Sequence, residues 1–335
     1  MQNLLDPAIL FFVFGAFAGS VKSNLEIPPA ISRFLSLYLL MALGLKGGFA
    51  LSHSGLTAQV AVSLTAAVSL AIVIPLLGYF VLKHFLNGFD AAAVAATYGS
   101  VSAVTFVTAV QYLDNHGISY GGHMAAAMAL MESPAIIMAV MLANLLRQQS
   151  LVTAGLHSNA GVAVLTGSHS QQQMPLKKIL HESFTDGAQL LLLGAMLVGL
   201  LSGEAGKTAM QVFSQDLFKG MLAFFLLDMG LMTARNAKQL KEMSIGLVLY
   251  ALAAPLLHAG LALCLALAAG LGQGDSTLLM VLAASASYIA VPAVLRTAIP
   301  EAKPSFYFGM SLGITFPLNL LFGIPLYAGV AERYF

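Results

Sequence analysis

"ATYGSVSAVTF", residues 96–106, interrupts a segment that otherwise reads as lipid-soluble helix. It crowds Thr97, Gly99, Ser100, Ser102 and Thr105 into the middle of an apolar window at 89–113. With about 1.5 Å of rise per residue, roughly ten residues on either side place this polar knot near the centre of a bilayer. Backbone that leaves the helix at that depth survives only where it is buried in protein or lines a cavity. The stretch therefore predicts a broken spanning helix turned toward an internal site.

Its surroundings are those of a polytopic membrane protein. The 335 residues are 59% hydrophobic and 9% charged, with a mean hydropathy of +0.86, whereas soluble domains carry about 25% charged residues. A net charge of +1 lacks the basic stripe of a nucleic-acid binder. The lone Cys264 excludes an intramolecular disulfide. "MQNLLDP" at 1–7 has no basic n-region and no small-residue cleavage site follows it, so the first apolar run is expected to remain as a span.

Apolar windows of about 20 residues, bounded by charge or Gly/Pro punctuation, number ten. They cover 7–22, 30–52, 57–81, 89–113, 121–146, 184–203, 211–234, 244–271, 275–299 and 304–330. The predicted fold is all-α: a first five-helix unit over 1–146, a polar cytoplasmic linker over 147–183, and a second five-helix unit over 184–335. Lys and Arg favour cytoplasmic loops. With the linker inside, 11 of the 15 fall inside and 4 outside (Lys46, Lys207, Lys219, Arg333), which places both termini on the outer side.

The two units resemble each other. "LLMALGLKGG" (39–48) parallels "LLDMGLMTA" (226–234) with Gly44 over Gly230, and "YGSVSAV" (98–104) parallels "SASYIAV" (285–291) with Ser100 over Ser287. "MESPAIIM" (131–138) parallels "ITFPLNLL" (314–321) with Pro134 over Pro317. The offsets of 186, 187 and 183 are nearly constant. An odd number of helices per unit inverts the second relative to the first, and inverted repeats characterise secondary transporters with sites at the midplane. Helices 4 and 9 are thus expected to be broken and to cross.

At such a crossing, free N–H groups and the positive ends of helix dipoles face inward and attract an anion. Serine hydroxyls add donors without charge. Small residues are also ordinary helix-packing positions, but two such stretches at matching repeat positions favour a site. Glu132, eleven residues into the fifth span, is costly at that depth without compensation. A hard cation, a proton or a ring of hydroxyls are the alternatives, with Ser133, Thr97, Thr105, Thr315 and Asn319 as oxygen donors. Asp228, on the seventh span, has three open readings: cation ligand, proton site or packing hydrogen bond. The histidines lie mostly at loops or span ends and show no metal-ligand spacing.

"GQGD" (272–275) matches the Gly-x-Gly-Asp pattern of intramembrane aspartyl proteases. That chemistry needs two carboxylates sharing a proton. Asp275 sits at a span end and Asp228 nearer the opposite end of its own span, so an enzyme is not expected. No Walker-type loop or Ser-x-x-Lys nucleophile is present either.

Over essentially its whole length the chain resembles the cyanobacterial sodium-dependent bicarbonate transporters. The stretches that carry the resemblance are "LDPAILFFVFGAFAG", "YGSVSAVTF", "LMESPAIIMAVMLA", "SYIAVPAVLRTAIPEA" and "SLGITFPLNLLFGIPLY". The resemblance implies a gate part (helices 1, 2, 6, 7) and a core part (helices 3–5, 8–10). It also implies a homotrimer, elevator-type movement, and symport of bicarbonate with sodium across the plasma membrane for carbon concentration. A trimeric PII-like protein that senses adenine nucleotides is the implied cytosolic partner, although the linker here is short for the family's cytosolic loop. No cofactor is expected beyond sodium as coupling ion. The expected bicarbonate cradle is Gly99, Ser100, Val101 and Ser102 opposite Ala286, Ser287 and Tyr288. Thr97, Thr105, Glu132, Ser133, Thr315 and Asn319 are the expected sodium ligands. The alternatives are a bile-acid-type organic-anion symporter, a cation/proton antiporter and, remotely, an intramembrane protease.

Overall fold

The structure is a computed structural model that describes residues 5–55, 57–156, 187–237 and 243–335. Among these residues there are helices and no strands. In chain order they are α1 (Pro7–Ser20), α2 (Pro29–Ser54), α3 (Ala58–Leu82), α4 (Gly88–Gly99), α5 (Ala103–His116) and α6 (Met124–Leu156). There follow α7 (Gly187–Ala209), α8 (Phe218–Asn236), α9 (Ile245–Ala269), α10 (Gln273–Ala284), α11 (Ala290–Ala298) and α12 (Pro304–Tyr334). Eight stretches are long and apolar enough to cross a membrane, counting α4 with α5 as one. The other two expected spans are helical but shorter: α1 has 14 residues, and 273–298 is divided into α10 and α11.

The expected linker differs in one respect. α6 runs on through Leu156, 33 residues and about 50 Å, so the polar run that ends the apolar window does not end the helix. "RQQSLVTA" holds neither Gly nor Pro, and nothing in it breaks a helix already under way. The rest of the expected linker, from residue 157 on, lies outside the described residues.

Two long seams organise one side of the molecule. α1 packs along α8 and α2 along α7, and glycines make both contacts possible. A Cβ on Gly15 would collide with the Leu227 carbonyl, and one on Gly230 with the Phe12 carbonyl. In the other seam, Gly44 and Gly48 press on the Leu192 and Met196 carbonyls. Helices that associate within lipid rely on such small residues to bring backbones close. Gly44 and Gly230, matched in sequence, thus do the same work in different seams. Ser32 on α2 donates to the Asp228 carboxylate on α8, joining the seams.

On the other side, α3 packs against α4 and α6, and α9 against α10. Two clasps of one kind hold the outer ends of the broken helices. Asp90 in the first turn of α4 accepts the Lys303 N–H at 2.6 Å. Asp275 in the first turn of α10 accepts the Gly121 N–H, also at 2.6 Å. The two aspartates are 185 residues apart. Asp275 is therefore engaged with backbone, away from Asp228 on α8. In the C-terminal third of α6, Arg147 grips Glu301 with two bonds of 2.8 and 2.7 Å, and the guanidinium holds the Glu301 carboxyl below the usual carboxylate range.

The seam glycines give a direct test. Gly230→Ala drives a Cβ into backbone and is expected to cost about 1–3 kcal/mol. Gly260→Ala on α9, where a Cβ meets nothing, is expected to be neutral or slightly stabilising. Thermal midpoints of the purified variants check the contrast.

Candidate functional site

The polar knot at 96–106 is a helix break. α4 ends at Gly99, Ser100 continues as extended backbone (φ −97°, ψ −179°), and α5 starts after Ser102. Ser102 caps the new helix: its hydroxyl oxygen accepts the Thr105 N–H at 3.2 Å and the Thr105 hydroxyl at 2.9 Å. The second break spans 285–289, between α10 and α11, and begins with Ser285 in extended backbone. Ser287 serves the next helix in the same way, accepting the Val291 N–H at 3.3 Å.

The two breaks hold each other. Ser287 N–H donates to the Thr97 carbonyl at 2.8 Å, and Ser102 N–H donates to Ser285 Oγ at 3.0 Å. Ser285 in turn donates to the Leu282 carbonyl at 2.9 Å. Backbone that leaves the helix so far from water is thereby paired, as burial requires. Ser285 lies one residue outside the expected cradle, at the start of the repeat stretch 285–291, where it falls over Tyr98.

A cleft of about 570 Å3 including its mouth opens beside the breaks. Val101–Val104 and Ser287–Ala290 line it together with Ser36, Leu40, Met128, Glu132, Gln189 and Leu192. Its wall therefore includes the starts of α5 and α11, helix ends that carry a positive dipole and N–H groups without a partner inside the helix. The expected cradle overlaps this wall only in part. Val101, Ser102, Ser287 and Tyr288 line the cleft, whereas Gly99, Ser100 and Ala286 are not among its lining residues. Gly99 faces Pro75 of α3, where a Cβ would collide with the proline ring, so its small size serves packing. Ser100 Oγ is buried with no hydrogen-bond partner among the described residues, and the buried Tyr288 hydroxyl lies beside that of Ser102.

The expected cation ligands do not gather at one point. Glu132 lines the cleft and accepts the Gln189 Nε2–H at 2.6 Å. Ser133 is buried beside it on α6. Ser102 and Thr105 are bonded to each other at the start of α5. Thr97 turns its hydroxyl to the Ala93 carbonyl at 2.9 Å. Thr315 lies apart, bonded to Tyr98 OH at 2.6 Å and to the Ala251 carbonyl at 2.9 Å. Asn319 donates to the Ala284 carbonyl at the end of α10, 2.7 Å, and accepts from Tyr327 OH at 2.9 Å. Two π-turns, 311–315 and 319–323, set the directions of these two residues, and such turns add a residue to the helical count. Asp228 is outside the cleft, held by Ser32.

A larger cavity of about 1540 Å3 occupies the opposite end, lined by Lys46, His53, Asp114, Lys207 and Lys219 among others. Leu43, Phe106, Val110 and Met124 border a small apolar gap. On α2 the residues that line the cleft, this gap and the large cavity follow one another along the helix. Two histidines do meet carboxylates in space: His53 with Glu204 at 2.6 Å and His123 with Asp275 at 3.7 Å.

Ser285→Ala removes the acceptor of a buried N–H and is expected to cost about 1–3 kcal/mol of stability. Ser100→Ala removes a hydroxyl that bonds nothing in the protein, so its thermal midpoint should stay close to that of the parent. Equal losses in the two variants would contradict the pairing described.

No curated protein matches the chain significantly. A family model does, over residues 7–332. A helical membrane chain with paired helix breaks beside a carboxylate-lined cleft fits that match, and this transporter, not an enzyme, belongs to the Na+-dependent bicarbonate transporter superfamily.

Proposed function

We propose that the protein is a symporter that imports bicarbonate with sodium. The observation that carries this reading is the cleft. It joins the N-terminal ends of α5 and α11, which favour an anion, to the Glu132 carboxylate, which disfavours one. A cation between them resolves the conflict. Each ion neutralises the field that the other meets on leaving water, and attraction between unit charges a few ångströms apart grows steeply as the effective dielectric falls below that of water. Val101, Ser102, Ser287 and Tyr288 hold the anion in this reading, with Ala103, Val104, Ile289 and Ala290 added by the geometry. Glu132 and Ser133 are the core of the cation site. Thr97, Thr105, Thr315 and Asn319 would reach it only after a rearrangement.

The same reading has ten spans in a 5+5 inverted repeat. Supporting it are the glycine seams, in which span 1 meets span 7 and span 2 meets span 6, and the Asp90 and Asp275 clasps at matching positions. Helices 1, 2, 6 and 7 form a gate, and the rest form a core that moves against it as an elevator. The cleft lies toward the ends of α2 and α7 nearest Arg33 and the linker, which the distribution of Lys and Arg places in the cytoplasm. Both termini are then outside. Assembly as a homotrimer in the plasma membrane, a role in carbon concentration and regulation by a PII-like nucleotide sensor rest on the family resemblance. A bile-acid-type substrate is less suited to the cleft, where the Tyr288 ring stands against Phe316 at 5.2 Å.

Labelled bicarbonate flux into proteoliposomes, with and without an inward sodium gradient, tests the proposal. Sodium should stimulate uptake in the parent, and Glu132→Gln should abolish that stimulation. A Glu132→Gln protein with full sodium dependence would remove this residue from the cation site. A parent indifferent to sodium would refute the symport itself.

A further inference from the structure

Gln189 has no part in the sequence reading, yet it meets Glu132 directly. It is buried in the first turns of α7, and its amide nitrogen donates to Glu132 Oε2 at 2.6 Å. The two residues belong to different halves of the architecture. α7 is seamed to α2 by Gly44, Gly48 and Gly199, whereas α6 packs on α3 and α4. Polar bonds between these two sets of helices occur at opposite ends of the molecule. At the end with the large cavity, Lys46 pairs with Asp114 at 2.9 Å and Asn115 donates to Asp6 at 3.1 Å. At the cleft, Gln189 and Glu132 supply such a link.

We propose that Gln189 competes with the coupling cation for the Glu132 carboxylate, so that cation binding unfastens α7 from α6. This rests on the assignment of Glu132 to the cation site. The amide N–H presents the positive end of its dipole to Oε2. A hard cation seeks carboxylate oxygens at distances of about 2.3–2.6 Å and is repelled by a donor hydrogen aimed at the same atom. The carboxylate has a second oxygen and further lone pairs, and the competition is for Oε2 on the side that the amide occupies, where an ion displaces it. The ion carries a full charge and the amide a partial one, so the ion prevails above a threshold concentration that the hydrogen bond sets. Its binding then does two things at once: it neutralises the cleft for the anion and removes a tie between the moving parts.

Two variants that lack the donor, Gln189→Leu and Gln189→Met, test this in proteoliposomes. The measurement is the sodium concentration for half-maximal uptake at saturating bicarbonate, beside the bicarbonate half-saturation at saturating sodium. Loss of a hydrogen bond to a charged group predicts a sodium midpoint lowered about 3- to 10-fold, with the bicarbonate value moving less. Sodium-induced thermal stabilisation of the purified variants should shift to lower sodium in the same way, and should be absent when Glu132→Gln is added. A midpoint unchanged in both variants overturns the competition. A raised midpoint overturns it too, since the amide would then help to hold the ion. A sodium-dependent parent with unmoved variants refutes this inference alone, whereas a parent without sodium stimulation refutes the proposed function and this inference with it.

Discussion

Everything in the site follows from one constraint: a chain that breaks two helices inside a membrane must pair the backbone it exposes. Water is absent there, and an unsatisfied N–H or C=O costs several kcal/mol. The solution here is reciprocal. Each break supplies the partner for the other, through Ser287 N–H to the Thr97 carbonyl and Ser102 N–H to Ser285 Oγ. The starts of α5 and α11 form one wall of a cleft. Pairing most of the broken backbone leaves a small set of donors aimed at one place.

The serines divide between structure and chemistry. Ser102 and Ser287 each accept an N–H from the helix that follows, and the Ser102 hydroxyl also meets that of Tyr288. Ser285 clips one break to the other. Opposite them Glu132 brings a carboxylate into the same cleft, balanced by the Gln189 amide from another helix. A site with N-terminal dipoles on one wall and a carboxylate on the other holds an anion best when a cation is also present. That is the physical content of the coupling proposed for this protein.

Much of this was legible in the sequence because hydropathy reports directly on spans. Among the described residues, eight of the ten windows coincide with stretches long and apolar enough to cross a membrane and the other two with shorter helices, and the break was visible as a cluster of Ser, Gly and Thr where lipid-facing residues belong. Position within the break was less legible. Gly99, expected in the cradle, is also where a Cβ would meet the Pro75 ring, and a glycine that admits a ligand and one that admits a neighbouring ring read alike. Gln189 was missed because a polar residue close to the start of an apolar window looks like its boundary. It was nonetheless the amide in the sixth span, facing the only acid of the fifth. Thr315 and Asn319 point elsewhere than helical spacing implies, because each π-turn of α12 shifts the register by a residue. Asp228 had three readings, and the Ser32 bond gives it a partner across a helix seam.

The central claim is that two ions share one cleft and stabilise each other. Equilibrium binding of labelled bicarbonate to the purified protein, measured over a range of sodium concentrations and paired with sodium binding over a range of bicarbonate, tests it most directly. Thermodynamic linkage requires that each ion tighten the other by the same factor, and mutual neutralisation predicts that this factor is well above one. Affinities for the two ions that are independent of each other would contradict the account.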